Sequence, residues 1–111
     1  MVFKALFIAH APDADPTKHK CEVETLKYKL FVRLVKSQQE ALEVSKQLVN
    51  NEGVQAIILC PGFTHKDVAE IYETLGSRVS VSVARGDGPS NVISMKILEK
   101  EGWFASKPFN R

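Results

Sequence analysis

The feature that most constrains this fold is a short apolar run at residues 54–59 (VQAIIL), which lies between two helix-like segments. Such a run is typical of a strand buried on both faces of a parallel sheet, and we expect it at the sheet centre. Before it, the S-x-x-E motif at residues 37–40 predicts a helix that continues to about residue 51. After it, the T-x-x-D motif at residues 64–67 predicts a second helix that stops at Gly76.

The remaining segments extend this alternation of strands and helices. Apolar or alternating patterns predict three more strands, at residues 2–9, 30–35 and 78–84. The last of these alternates valine with serine, which is typical of an edge strand. Residues 10–20 read as a loop, and either residues 21–25 form a short edge strand or the long loop is functional. Pro89 marks the start of a last helix that ends near Gly102.

Strands that alternate with helices predict an α/β fold with right-handed crossovers. We expect a small, mostly parallel sheet of four or five strands with three helices packed on it, similar to a Rossmann-like or flavodoxin-like half. The chain length of 111 residues fits a single domain over residues 1–111, in which residues 103–111 form an aromatic C-terminal tail. The order of the strands stays open.

Composition and charge exclude several classes of protein. With 44% hydrophobic and 25% charged residues, the chain matches an average globular protein. Its net charge of +2 is too small for the basic surface of a nucleic-acid binder. No apolar run approaches the roughly 18 residues that cross a membrane. Two cysteines and no leader-like pattern predict reduced thiols and a cytoplasmic location.

The reactive side chains gather in three segments, each of which follows a predicted strand. These segments are residues 10–19, 60–65 and 85–90, and they contain every histidine of the chain. Because ligands of open parallel sheets bind beyond the carboxyl ends of the strands, we expect the three segments to meet at one rim of the sheet. The leading hypothesis is therefore a cytoplasmic protein that binds a small anionic metabolite at this rim.

The chemistry of individual side chains suggests which residues would bind the ligand and which would react with it. Arg85 would hold a carboxylate or phosphate in a bidentate contact, beside amides of the glycine turn that follows it. Cys60, at a strand end before a helix start, is a candidate nucleophile, with His65 as base and His10 near the reacting group. The residues expected to bind the ligand are Arg85, Gly86, Asp87, Gly88, Ser90, Thr64 and Asp13. The alternatives are an ordinary capped turn at residues 86–89 and a small buried thiol at Cys60.

Two other functions remain open. A metal-dependent hydrolase would draw its ligands from the donor side chains of His10, Asp13, Asp15, His19 and His65, although their spacing matches no zinc or calcium framework. The sequence itself indicates no cofactor. A non-enzymatic homo-oligomer or partner-binding module would use an exposed edge strand and the aromatic tail residues Trp103, Phe104 and Phe109, which otherwise pack on their own sheet.

Four blocks of the sequence carry a resemblance to a known family. The blocks are KALFIAHAPDADPTKHKCEVET, KYKLFV, LCPGFTH and SVARGDGPS, and the resemblance covers most of residues 3–104. They resemble a family of small bacterial and archaeal proteins that is classed as a domain of unknown function. The resemblance implies no activity, cofactor or catalytic residue.

Overall fold

The computed structural model describes residues 1–104 and confirms the predicted α/β class. This part of the chain contains five strands and three helices, with three strands before the first helix and alternation after it. The strands are β1 (Phe3–His10), β2 (Lys20–Glu24), β3 (Tyr28–Val35), β4 (Ala56–Leu59) and β5 (Ser80–Val83). The helices are α1 (Gln38–Glu52), α2 (His65–Leu75) and α3 (Gly88–Lys100). His10, which the sequence placed in a loop, is the last residue of β1.

The strands are ordered β2-β3-β1-β4-β5, with β2 antiparallel to β3 and all other pairs parallel. The central strand is therefore β1, and the expectation that residues 54–59 would form the centre is wrong. An apolar run indicates burial on both faces, which any interior strand shares, and β4 is interior between β1 and β5. The predicted edge positions of residues 21–25 and 78–84 are confirmed.

The main core lies on one face of the sheet. The strand register places Leu6 beside Phe31 of β3 and Ile57 of β4, and all three side chains are fully buried. Helix α1 packs against β1 and β3, and α2 packs against β5 and α1. Both helices connect parallel strands in the same direction across the sheet, so right-handed crossovers put them on the same face. Each fully buried side chain of this core contributes roughly 1.5–3 kcal/mol.

The ends of α1 and α2 follow the predicted signals. Ser37 caps α1 by accepting a hydrogen bond from the Glu40 amide, and Gly53 ends it with a left-handed φ of 75°. Thr64 and Asp67 form a complete capping box at the start of α2. These local bonds satisfy amides that would otherwise be unpaired at the helix start.

Helix α3 differs from the other two because none of its residues is buried. Its apolar side chains Val92, Ile93, Met95 and Ile97 are all more than half exposed. The expectation that three helices pack on the sheet therefore holds for α1 and α2, and the Rossmann-like assignment stays a prediction.

The second face of the sheet is apolar and is not covered by α1 or α2. Phe7 lies between Val32 of β3 and Ile58 of β4 on this face, and all three side chains are half-buried. No helix within residues 1–104 is long and apolar enough to cross a membrane.

Candidate functional site

Residues from each of the three predicted segments line a cavity of about 600 Å³ at the carboxyl ends of the strands. His10 reaches it from the end of β1, Cys60 and Thr64 from the loop after β4, and Arg85 from the loop after β5. Because β1, β4 and β5 are neighbouring parallel strands, their carboxyl ends lie at one rim. The cavity is thus built by residues that are far apart in the sequence.

His10 and Cys60 form the floor of this cavity. The His10 side chain is 8% exposed, and its ring stacks on Phe63 with the ring centroids 4.1 Å apart. The backbone amide of His10 donates a hydrogen bond to Cys60 Sγ at 3.4 Å. The pairing of β1 with β4 brings these two residues close together, since the Cys60 amide also donates to the Ile8 carbonyl. The sulfur therefore accepts a hydrogen bond from a rigid strand.

Arg85 supplies the positive charge of the cavity. Its Nη1 atom donates to the Pro61 carbonyl at 3.1 Å, which ties the loop after β5 to the loop after β4. The side chain is exposed, and it forms no ion pair with any residue of the described chain. A guanidinium carries five N–H donors, so one carbonyl contact leaves donors for an anion.

The opposite wall comes from α3 and the residues that follow it. Asn91, Ser94, Met95 and Leu98 line the cavity from one face of the helix, and Trp103 and Phe104 extend that wall. The Trp103 amide donates to the Leu98 carbonyl at 3.0 Å, which folds the segment back against the end of the helix.

Four residues of α3 that line the cavity were not predicted from the sequence: Asn91, Ser94, Met95 and Leu98. These residues are spaced by three, one and three positions, which places them on one face of a helix. The helix also begins at the predicted rim, so the sequence contained two indications that this face belongs to the site. Trp103 and Phe104 were expected to dock on a neighbouring subunit or to pack on their own sheet, and here they line a cavity of their own chain. Phe109 lies outside the described residues.

Six of the predicted ligand-binding and catalytic residues do not line this cavity. They are Asp13, His65, Gly86, Asp87, Gly88 and Ser90. His65 is the exposed first residue of α2, and Asp87 is the N-cap of α3 without a side-chain capping bond. A Cβ atom at position 86 would overlap the side-chain amide group of Asn91. Gly86 therefore allows this side chain of α3 to lie close to the turn. The predicted glycine turn therefore positions Arg85 and Asn91 around the cavity.

The acidic and histidine residues after β1 form a local network instead of a metal site. Asp15 accepts hydrogen bonds from the Thr17 amide and hydroxyl, and its own amide donates to His19 Nδ1 at 2.9 Å. The Thr17 hydroxyl bond, more than any other contact, holds the pKa of Asp15 below its ordinary value. A lowered carboxyl pKa adds stability above the ordinary pKa, which is lost as the pH falls through the lowered value.

The five donor residues considered for a metal are not brought together. Among the described residues, no group of three or more histidine, cysteine, aspartate or glutamate side chains is placed to hold a metal ion. His19 Nδ1 is also engaged as an acceptor, as described above.

Together, the fold and the cavity define a class: a small α/β protein with a concave site at the carboxyl ends of its parallel strands. Comparison with family models gives a match to the Family of unknown function (DUF6506) over residues 3–97, and the chain belongs to this family. The expected family of unknown function is thereby confirmed. No curated protein and no solved structure matches the chain.

Proposed function

We propose that this is a cytoplasmic protein that binds a small anionic molecule in the cavity between β1, β4 and α3. The observation that carries this proposal is Arg85, a cation that lies at the cavity without an ion-pair partner in the described chain. A guanidinium pairs best with a planar carboxylate or a phosphate, because two parallel N–H donors match two oxygens.

The other polar residues of the cavity surround this cation. The Thr64 hydroxyl oxygen accepts from the Asp67 amide, so its proton is free to point toward a ligand. Asn91 and Ser94 add donors and acceptors from α3, and His10 and Cys60 face the same space. Small-molecule sites combine a concave apolar surface with a few such polar groups.

The two thiols support a cytoplasmic location. Cys21 is exposed on β2, Cys60 is half-buried at the cavity, and both are free. An exposed free thiol is suited to a reducing compartment, where disulfides do not persist.

A catalytic version of this function would use Cys60 as nucleophile. His10 and Cys60 both line the cavity, whereas His65 lies outside the lining, and the hydrogen bond between the first two runs from the His10 backbone amide to Cys60 Sγ. The base in the catalytic version is therefore His10, and His65 keeps only its place at the start of α2.

The test of anion binding compares two arginine variants. A panel of acetate, inorganic phosphate, benzoate and phenyl phosphate is titrated by calorimetry into the wild type, Arg85→Gln and the control Arg78→Gln. Arg78 is exposed and precedes β5, at the opposite end of the sheet from the cavity. We expect at least one anion to bind the wild type and Arg78→Gln equally, and Arg85→Gln at least tenfold more weakly. Absence of binding by every anion would overturn the proposal.

A homo-oligomer is a second candidate, favoured by two exposed apolar surfaces of the same chain. Helix α3 exposes Val92, Ile93 and Ile97, and the second sheet face exposes the half-buried side chains around Phe7. In α/β proteins, the apolar side of a helix ordinarily packs against an apolar face of a sheet. This chain exposes both surfaces. A second copy of the chain can supply each surface to the other by two-fold symmetry.

Sedimentation velocity tests the homo-oligomer candidate. We expect the wild type to sediment as a dimer, Ile97→Glu to sediment as a monomer, and the neighbouring exposed variant Lys96→Glu to remain a dimer. Burial of a new charge in an apolar interface is unfavourable, whereas an exchange of exposed charges is not. A wild type that stays monomeric at high concentration would exclude this candidate.

A further inference from the structure

The lining of the cavity has a polar part around Arg85 and an apolar part, and α3 contributes to both because it also carries Asn91 and Ser94. His10, Cys60 and Arg85 belong to strand ends and the loop after β5, whereas Met95, Leu98 and Trp103 belong to α3 and the segment after it. A ligand that contacts both parts needs an ionic end and an apolar end.

The size of the cavity excludes a compact anion as its full occupant. A volume of about 600 Å³ lies within the range of roughly 300–1,000 Å³ that is typical of sites for drug-sized molecules. An acetate or a bare phosphate on Arg85 would leave water against Leu98, Trp103 and Phe104. Removing that apolar surface from water is favourable by roughly 25 cal/mol per Å², so a ligand with an apolar body gains affinity.

The charge of the cavity sets the number of anionic groups. Among the described lining residues, Arg85 is the one lysine or arginine. A di- or triphosphate would place several negative charges against a single guanidinium, and the uncompensated charges would be costly in a partly apolar site. The charge balance thus favours one carboxylate or one phosphate group.

The shape of the apolar wall favours a ring. Trp103 and Phe104 place two aromatic side chains in the lining, and aromatic side chains pack favourably against planar groups. Met95 adds a flexible thioether, which makes favourable contacts with aromatic rings. Resting on the proposed anion binding, we infer that the ligand is an aromatic acid: one carboxylate or phosphate group on a ring-sized apolar body. The acid group lies on Arg85, and the ring lies against Leu98, Trp103 and Phe104.

The experiment uses matched probes on the full chain. Calorimetry measures the Kd of phenylacetate, phenyl phosphate, the neutral isostere phenylacetamide, acetate and inorganic phosphate. Trp103 is the one tryptophan of the chain, so its fluorescence reports whether a probe enters this cavity. The variants are Leu98→Ala, on the apolar wall, and the control Val92→Ala, on α3 but outside the lining. Circular dichroism checks that each variant is folded.

We expect at least one aromatic acid to bind tenfold or more tightly than acetate and inorganic phosphate, and to change the Trp103 fluorescence. Phenylacetamide should bind at least tenfold more weakly than phenylacetate if the head group is a carboxylate. When phenyl phosphate is the tighter acid, the head group is a phosphate. Leu98→Ala should raise the Kd of the aromatic acid several-fold, and Val92→Ala should leave this Kd unchanged.

The possible failures are distinguishable. Equal binding of compact and aromatic anions, still lost in Arg85→Gln, would overturn the aromatic acid and leave the anion site intact. Phenylacetamide that binds as tightly as both acids would overturn the anionic head group itself. Absence of binding by all five probes would overturn the anion site and the aromatic acid together.

Discussion

Cys60 illustrates how one side chain takes its properties from its neighbours along and across the sheet. Its sulfur accepts a hydrogen bond from the His10 amide, and the His10 ring is held by its stacking on Phe63. Cys21 has the same chemistry on an exposed edge strand. The chain therefore contains two thiols that differ in environment alone, and each serves as the control for the other.

Alkylation of the two thiols tests the catalytic version of the function. If Cys60 is a nucleophile with His10 as base, iodoacetamide should modify Cys60 several-fold faster than Cys21, although Cys60 is less exposed. His10→Gln should slow the modification of Cys60, and His65→Gln should leave it unchanged. Peptide mass spectrometry measures both rates in one sample. Slower modification of Cys60 than of Cys21 would show that Cys60 is a structural thiol.

Helix α2 is the element whose start the sequence predicts most directly. The Thr64 hydroxyl accepts from the Asp67 amide at 3.0 Å, and the Asp67 carboxylate accepts from the Thr64 amide at 2.9 Å. The capping box depends on residues three positions apart, so tertiary contacts are not needed to define it. The same loop carries Cys60 and Phe63, which means that the cap also sets one border of the cavity.

Replacement of Thr64 tests the contribution of this cap. Thr64→Ala should lower the free energy of unfolding by about 1 kcal/mol, because the Asp67 amide loses its acceptor. The control is Thr74→Ala, an exposed position near the end of the same helix, where the change should stay within about 0.5 kcal/mol. Urea denaturation measures both. Equal effects of the two variants would contradict a specific capping role.

Helix α3 shows what an amphipathic pattern leaves undecided. Its apolar residues predict a helix, which is correct, but not which surface covers them. In the structure one face of α3 turns toward the cavity, and the other apolar side chains remain exposed.

The whole molecule is a sheet with α1 and α2 on one face. Its central strand, β1, has neighbours on both sides because the chain runs from β1 to the edge strand β2 and returns through β3. This arrangement gives consecutive residues of a strand different environments. Ile57 faces the buried core at 0% exposure, and Ile58 lies half-buried on the second face.

Because the two faces of the sheet differ in burial, replacing isoleucine by alanine should lower the free energy of unfolding by different amounts on each face. Ile57→Ala should lower the free energy of unfolding by about 2–5 kcal/mol, because it leaves a cavity in a packed core. Ile58→Ala should cost less in dilute protein, because fewer atoms surround the side chain that is removed. Chemical denaturation at several protein concentrations measures both changes. A cost for Ile58→Ala as large as that for Ile57→Ala in a monomer would show that the second face is packed after all.

Local pattern accounts for most of the elements. Three kinds of signal act over only a few residues, so they can be recognised in the sequence alone. They are the capping motifs at Ser37 and Thr64, the glycines that end α1 and α2, and the apolar runs of β1 and β4. The same logic placed His10, Cys60 and Arg85 at one edge of the sheet, because the carboxyl ends of parallel strands share an edge. The three residues line one cavity because β1, β4 and β5 are neighbours in the sheet.

The sequence by itself determined the α/β class, the helix starts and the placement of His10, Cys60 and Arg85 at the carboxyl-terminal edge of the sheet, because these follow from short-range bonding and strand direction. Tertiary structure decided the central place of β1, the cavity-facing side of α3 and the position of Trp103 and Phe104 beside Arg85. Those features depend on which surfaces meet across the molecule, and apolar side chains attract one another without direction. A pattern of apolar residues therefore indicates that a face is covered, and the packing of the whole chain selects its partner.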